Sequence, residues 1–107
     1  MARVVVDAGI CGFTTIIEVS KLSVQRVSVT IASNCEMVNK WGKQLDSVHW
    51  QNVLKFPGIF LFYQSAFQYI RHVTCPVPIA ILEAIEVEVG IALPKDVIFR
   101  FETIKNK

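Results

Sequence analysis

Val24-Gln25-Arg26-Val27-Ser28-Val29-Thr30-Ile31 alternates between polar and apolar residues from Arg26 onward. Val27, Val29 and Ile31 fall on one side and Arg26, Ser28 and Thr30 on the other. Successive side chains of a strand point to opposite faces, so the stretch predicts a half-buried antiparallel strand with one wet face. Working back, Thr14-Thr15-Ile16-Ile17-Glu18-Val19 is a second β-rich run, joined to the first through Ser20-Lys21-Leu22-Ser23. The pair reads as a hairpin. Arg3-Val4-Val5-Val6-Asp7 is short and β-branched and supplies a further strand. Gly9 and Gly12 bracket Cys11 between the first two strands, which marks a turn or bulge where the backbone bends sharply.

Forward of the alternating stretch, Ser33-Asn34 reads as a helix N-cap, because both side chains accept hydrogen bonds from first-turn N–H groups. Met37, Val38, Trp41 and Leu45 then recur at helical spacing, predicting a helix over 35–46. Residues 47–57 show no period. Ile59, Phe60, Tyr63, Phe67 and Ile70 place a helix over 58–72, with a strand through Phe60-Leu61-Phe62-Tyr63 as the alternative. Pro76 and Pro78 open the last helix, where a missing N–H costs least. Ile81, Leu82, Ile85 and Val89 form its apolar stripe, and Gly90 and Pro94 end it. Val97 to Ile104 alternates again, predicting a last strand whose Val97, Phe99 and Phe101 face belongs to the core. The sum is an α+β domain, residues 1–107, with a small, mostly antiparallel sheet of about four strands and three helices packed on one face.

The chain of 107 residues is long enough for one core without a metal or disulfide staple. It is 52% apolar and 19% charged, with a mean hydropathy of +0.44. A monomer of this size hides that much apolar surface with difficulty. A membrane span needs about 20 apolar residues in a row. Gln64 and Gln68 interrupt one candidate, and Glu83, Glu86 and Glu88 the other. A homo-oligomer, a dimer, is the expected explanation. No secretory leader is visible, and three cysteines cannot all pair, so the reading is a cytoplasmic protein with reduced thiols. Eleven Lys and Arg stand singly against nine Asp and Glu, apart from a thin cluster at Lys105 and Lys107. No contiguous basic stripe tracks a phosphate backbone, and nucleic acid is not an expected partner.

The chemistry-bearing residues are the cysteines: Gly9-Ile10-Cys11-Gly12, Ser33-Asn34-Cys35-Glu36 and His72-Val73-Thr74-Cys75-Pro76. Each sits at a chain reversal or a helix start rather than inside an apolar face. Strand ends and the helix starts that follow them often share one pole of a layered fold. Three thiolates meeting there, Cys11, Cys35 and Cys75, with His72 or Asp7 nearby, form a donor set for a soft metal: zinc or an iron–sulfur cluster. No Cys-x-x-Cys pair occurs, which sets the chain apart from zinc ribbons and ferredoxins. Two other readings stand beside this one. Cys75 or Cys35 with His72 or His49 as base, and Asp7 as orienter, makes a thiol enzyme. Alternatively the cysteines are independent buried small hydrophobes in a structural or interaction module. Glu83, Glu86 and Glu88 read as a solvated helix face, with Glu86 the one crowded by apolar neighbours. Phe56, Phe60, Phe62, Tyr63, Phe67 and Tyr69 read as core plus dimer surface. No glycine-rich phosphate loop, paired zincin histidines or nucleophile-elbow serine is present.

The segments 6–15, Ser33-Asn34-Cys35, 72–78, Glu86-Val87 and 92–97 together resemble a family of small uncharacterised proteins of anaerobic bacteria and methanogenic archaea. The resemblance covers nearly the whole chain and is poorest over 44–62. It implies that Cys11, Cys35, His72 and Cys75 belong to the family pattern, and it implies an anaerobic setting that favours an oxygen-sensitive thiolate or iron–sulfur site. It implies no activity.

Overall fold

The computed structural model describes residues 1–104, and in it the alternating stretch forms β3, Arg26–Ser33. β3 pairs antiparallel with β2, Thr14–Lys21, which pairs antiparallel with β1, Ala2–Asp7. A two-residue strand β4, Val48–His49, lies on the far side of β3, so the sheet order is β1-β2-β3-β4. The helices are α1, Glu36–Gly42; α2, Trp50–Val53; α3, Gly58–Tyr69; and α4, Val77–Glu88. The class is α+β, with helices over one sheet face.

Register explains which face. Val4, Ile17 and Ile31 align across three strands, as do Ala2, Val19 and Val29. These rows, with Val6 and Val27, meet Val77, Ile81, Ala84 and Ile85 of α4 and Val38 and Trp41 of α1 in one buried cluster. Phe62 and Ala66 of α3 complete it. The Trp41 and Phe62 rings meet edge to face at 5.3 Å. The buried indole N–H donates to Ser65 Oγ at 3.1 Å, so its polar atom is satisfied inside the helix layer. On the opposite face Arg3, Val5, Thr30 and Ala32 are exposed, and Arg3 stands 3.8 Å from Glu18.

Glu88 fixes the direction of α4. Its Oε2 accepts the Lys21 N–H at 3.0 Å, and its Oε1 lies 3.2 Å from the Met1 ammonium. Lys21 ends β2 beside the start of β1, so the last turn of α4 is tied to that end of the sheet. A twelve-residue helix is about 18 Å long and a six-residue strand about 20 Å. The first turn of α4 therefore lies at the opposite end, beside Asp7 and Thr14.

Three sequence expectations are corrected. The fourth strand is β4 and not residues 97–104, which form no regular structure, with Phe99 76% and Phe101 98% exposed. The helix layer is already closed by α1, α3 and α4, and no neighbouring strand meets the phenylalanine face among the described residues. The helix expected over 35–46 stops at Gly42, because the chain turns so that the Leu45 carbonyl accepts the Val29 N–H at 3.0 Å and seals part of the β3 edge. Ser33 and Asn34 do not cap α1; its N-cap is Cys35, and their side chains serve the backbone of Cys35 and Thr14. Residues 58–72 are helical rather than strand, ending at Tyr69, after which Ile70 is extended and buried. The aperiodic 47–57 stretch holds β4 and α2. It docks on the hairpin loop through Trp50, whose backbone N–H donates to Gln25 O and whose indole donates to Val24 O. Lys105 and Lys107 lie outside the described residues.

The Glu88 side chain is 13% exposed. Burial alone raises its carboxyl. Hydrogen bonds from the Met1 ammonium and from the Lys21 and Ala2 N–H groups, with the ammonium charge, outweigh that and hold it below its ordinary 4.5. A carboxylate with a depressed folded pKa contributes stability that is fully present above the unfolded value and lost as pH falls through the folded one. We expect Glu88→Gln to lower unfolding stability by about 1–2 kcal/mol at neutral pH. Urea titrations below pH 4.5 should show a smaller acid loss in the variant than in the parent chain.

Candidate functional site

The end of the sheet opposite Glu88 gathers the chain reversals that carry the cysteines. After β1, Asp7 Oδ1 accepts the Gly9 N–H at 3.2 Å and starts a single 3-10 turn over Gly9–Cys11. Gly9 and Gly12 take φ of +78° and +72°, values that L side chains rarely adopt, which is why glycines flank this cysteine. The Gly12 N–H returns to Gly9 O at 2.8 Å and the Ala8 N–H to Phe13 O at 3.1 Å, closing the corner. Cys11 is exposed on it.

Cys35 follows β3 and is held by a polar network rooted in the sheet. Thr15, the one polar residue buried on the apolar face, shares a 2.7 Å hydroxyl contact with Ser33 Oγ. Ser33 Oγ accepts the Cys35 N–H at 3.0 Å. Asn39 clamps the Ser33 backbone from both sides, accepting its N–H at 3.1 Å and donating to its carbonyl at 2.7 Å. Asn34 ties this corner to β2: its N–H donates to Thr14 O at 3.4 Å and its Oδ1 accepts the Thr14 N–H at 3.5 Å. Cys35 is buried at the edge of the core.

Cys75 precedes α4 in a turn closed by its own N–H to His72 O at 3.0 Å. Its side chain is half-buried and packs against the core cluster. Burial pushes the thiol above its ordinary 9.0, a hydrogen bond from the Val77 N–H opposes this, and the charges of Cys35 and Cys11 each push it up again. Cys35 and Cys11 therefore both lie within electrostatic reach of Cys75. They do not yet meet: among the described residues no three His, Cys, Asp or Glu side chains form a group that could hold a metal ion as they stand.

His72 is exposed, three residues before Cys75. Asp7 lies at the same pole, its Oδ1 engaged by Gly9, so it positions the Cys11 turn. His49 is elsewhere. It pairs with Arg26 at the far end of β3, about 23 Å of strand away from Ser33, and its Nδ1 is buried without a partner. A pairing of His49 with Cys35 or Cys75 is overturned by this register. A raised thiol pKa also disfavours Cys75 as a nucleophile at neutral pH, since the thiolate is the attacking form.

Sequence reasoning missed Thr15, Asn39 and Glu88 as positioning residues. A threonine in phase with Ile17 and Val19 on a buried face is a signal that its hydroxyl has an internal partner. Glu83 and Glu86, expected on a solvated face, are half-buried beside a groove with Tyr63 and Leu82.

The chain belongs to a family of unknown function, DUF6951, which matches residues 2–101. Comparison with curated proteins finds no match. Comparison with solved structures finds none either. Among the described residues no helix is long and apolar enough to cross a membrane.

The coupling of the thiols is open to direct measurement. In metal-free protein, the iodoacetamide rate at Cys75, followed by peptide mass spectrometry, should rise with a midpoint above pH 9.0. Cys11→Ser and Cys35→Ser should each move that midpoint down by removing a like charge. An unmoved midpoint in both variants counts against electrostatic contact among the three.

Proposed function

We propose that Cys11, Cys35 and Cys75 are the thiolate ligands of a soft metal centre, zinc or an iron–sulfur cluster, with His72 as the fourth donor. The observation that carries this reading is that three cysteines from three separate chain reversals gather at one end of the sheet, where burial raises the Cys75 thiol and the Cys35 and Cys11 charges add to that. Three thiolates repel one another; a cation among them reverses that repulsion and releases their protons on binding. Cys35 is fixed by Ser33 and Asn39, and Cys75 is packed against the core. Cys11, exposed on its glycine-flanked turn, is the ligand that closes inward on loading. His72 opens the turn that ends in Cys75, so nitrogen and sulfur come from one short segment. Three sulfurs and one nitrogen suit tetrahedral zinc, and three thiolates suit a cluster with a different donor on its fourth iron.

The role that fits a chain of this size is metal carriage, redox sensing or electron transfer in an anaerobic cytoplasm. Anaerobic purification, metal analysis and an absorption spectrum test it. We expect stoichiometric zinc, or iron with a sulfur-to-iron charge-transfer band, at least tenfold lower in each single Cys→Ser variant and lower in His72→Ala. A colourless, metal-free protein with three freely titrating thiols overturns the reading. So does a single cysteine that alkylates far faster than the others at neutral pH, the mark of an activated nucleophile.

A further inference from the structure

We propose that residues 97–104 add as a strand to the free edge of β1 in a second copy of this chain, each copy lending its tail to the other. The two sheet edges are unequal. On the far side, β4 pairs with Arg26 and Val27, the Leu45 carbonyl takes the Val29 N–H and the Asn39 side chain takes both backbone groups of Ser33, so that edge is covered at intervals along its length. β1 has six residues and no neighbour on its outer side among the described residues. An open edge of that length is a template for another strand, and natural sheets are expected to cover or blunt it.

The tail is the matching piece. Val97-Ile98-Phe99-Arg100-Phe101-Glu102-Thr103-Ile104 is β-branched or aromatic at all positions but Arg100 and Glu102 and alternates in polarity from Phe99 to Glu102, yet forms no regular structure. Val97, Phe99, Phe101 and Ile104 are between 63% and 98% exposed. The radius of gyration is 14.6 Å, against about 13 Å for a compact chain of this length, as an arm standing off the body would produce. A strand of this kind gains backbone hydrogen bonds and a buried apolar face only from an edge.

Geometry favours the second copy over the chain's own β1. α4 ends beside the start of β1, so a tail folded back on its own domain runs parallel to β1. A tail from a second copy is free to run antiparallel. One antiparallel register sets Glu102 opposite Arg3, Phe101 opposite Val4 and Phe99 opposite Val6, with Arg100 diagonal to Asp7. In that register opposite charges meet on the open face, and the phenylalanines extend the apolar face that α4 covers. Arg3, already 3.8 Å from Glu18, then bridges two carboxylates.

Sedimentation velocity on the full chain across a concentration series tests this. The expected result is a dimer. Phe99→Asp with Phe101→Asp should give a monomer that still unfolds cooperatively, since both rings are exposed in the single chain. Glu102→Arg should weaken the dimer several-fold, and Arg3→Glu added to it should restore most of the loss. Amide exchange should show residues 97–104 protected only at concentrations where the dimer forms. A parent chain that stays monomeric, protection of 97–104 within a monomer, or a dimer indifferent to the phenylalanine pair overturns the proposal.

Discussion

The packing of α4 along β1 and β2 is the constraint from which the other relations follow. Val77, Ile81, Ala84 and Ile85 cover the rows built from Ala2, Val6, Ile17 and Val19. Helix and strand have nearly the same length, about 18 Å against about 20 Å, so fixing one end of α4 fixes the other. Glu88 fixes its last turn with three donors. Cys75 is thereby carried to the end of the sheet where the corners after β1 and β3 hold Cys11 and Cys35. Reverse α4, and Cys75 faces Lys21 instead.

What was legible in the sequence is what depends on local period. The strand through Val27, Val29 and Ile31, the hairpin before it and the α4 stripe ending at Gly90 are each set by side chains that alternate or recur within one element. Residues 47–57 were opaque because β4 holds only two residues, and α2 is held by Trp50 reaching across to Val24 and Gln25. No local pattern reports a contact of that kind. The tail is the reverse case: 97–104 carries a strand pattern but pairs with no strand among the described residues. A period of two states that a segment suits a sheet, and it is silent on whose sheet.

The candidate site divides the same way. That Cys11 would sit in a bent corner was readable from Gly9 and Gly12, and Pro76 marked Cys75 as preceding a helix. The hold on Cys35 was not readable, because Thr15, Ser33 and Asn39 come from three elements and work together only once β2 and β3 are in register. Ser33-Asn34 illustrates the ambiguity. The same oxygens that suit an N-cap also bond backbone groups of a neighbouring strand, and here Asn34 takes the Thr14 N–H instead.

The two ends of α4 carry opposite electrostatic settings, and both run against the helix dipole. A carboxylate at a C-terminus and a neutral group at an N-terminus are each the less favoured choice. Glu88 nevertheless stays ionised, because discrete N–H donors and an ammonium outweigh a dipole effect worth less than about 1 kcal/mol. Cys75 is nevertheless pushed up, because burial first, and the Cys35 and Cys11 charges after it, outweigh the Val77 N–H. A thiol held neutral in that way is a poor nucleophile at neutral pH. Discrete donors and burial thus set both groups, and the dipole of α4 decides neither.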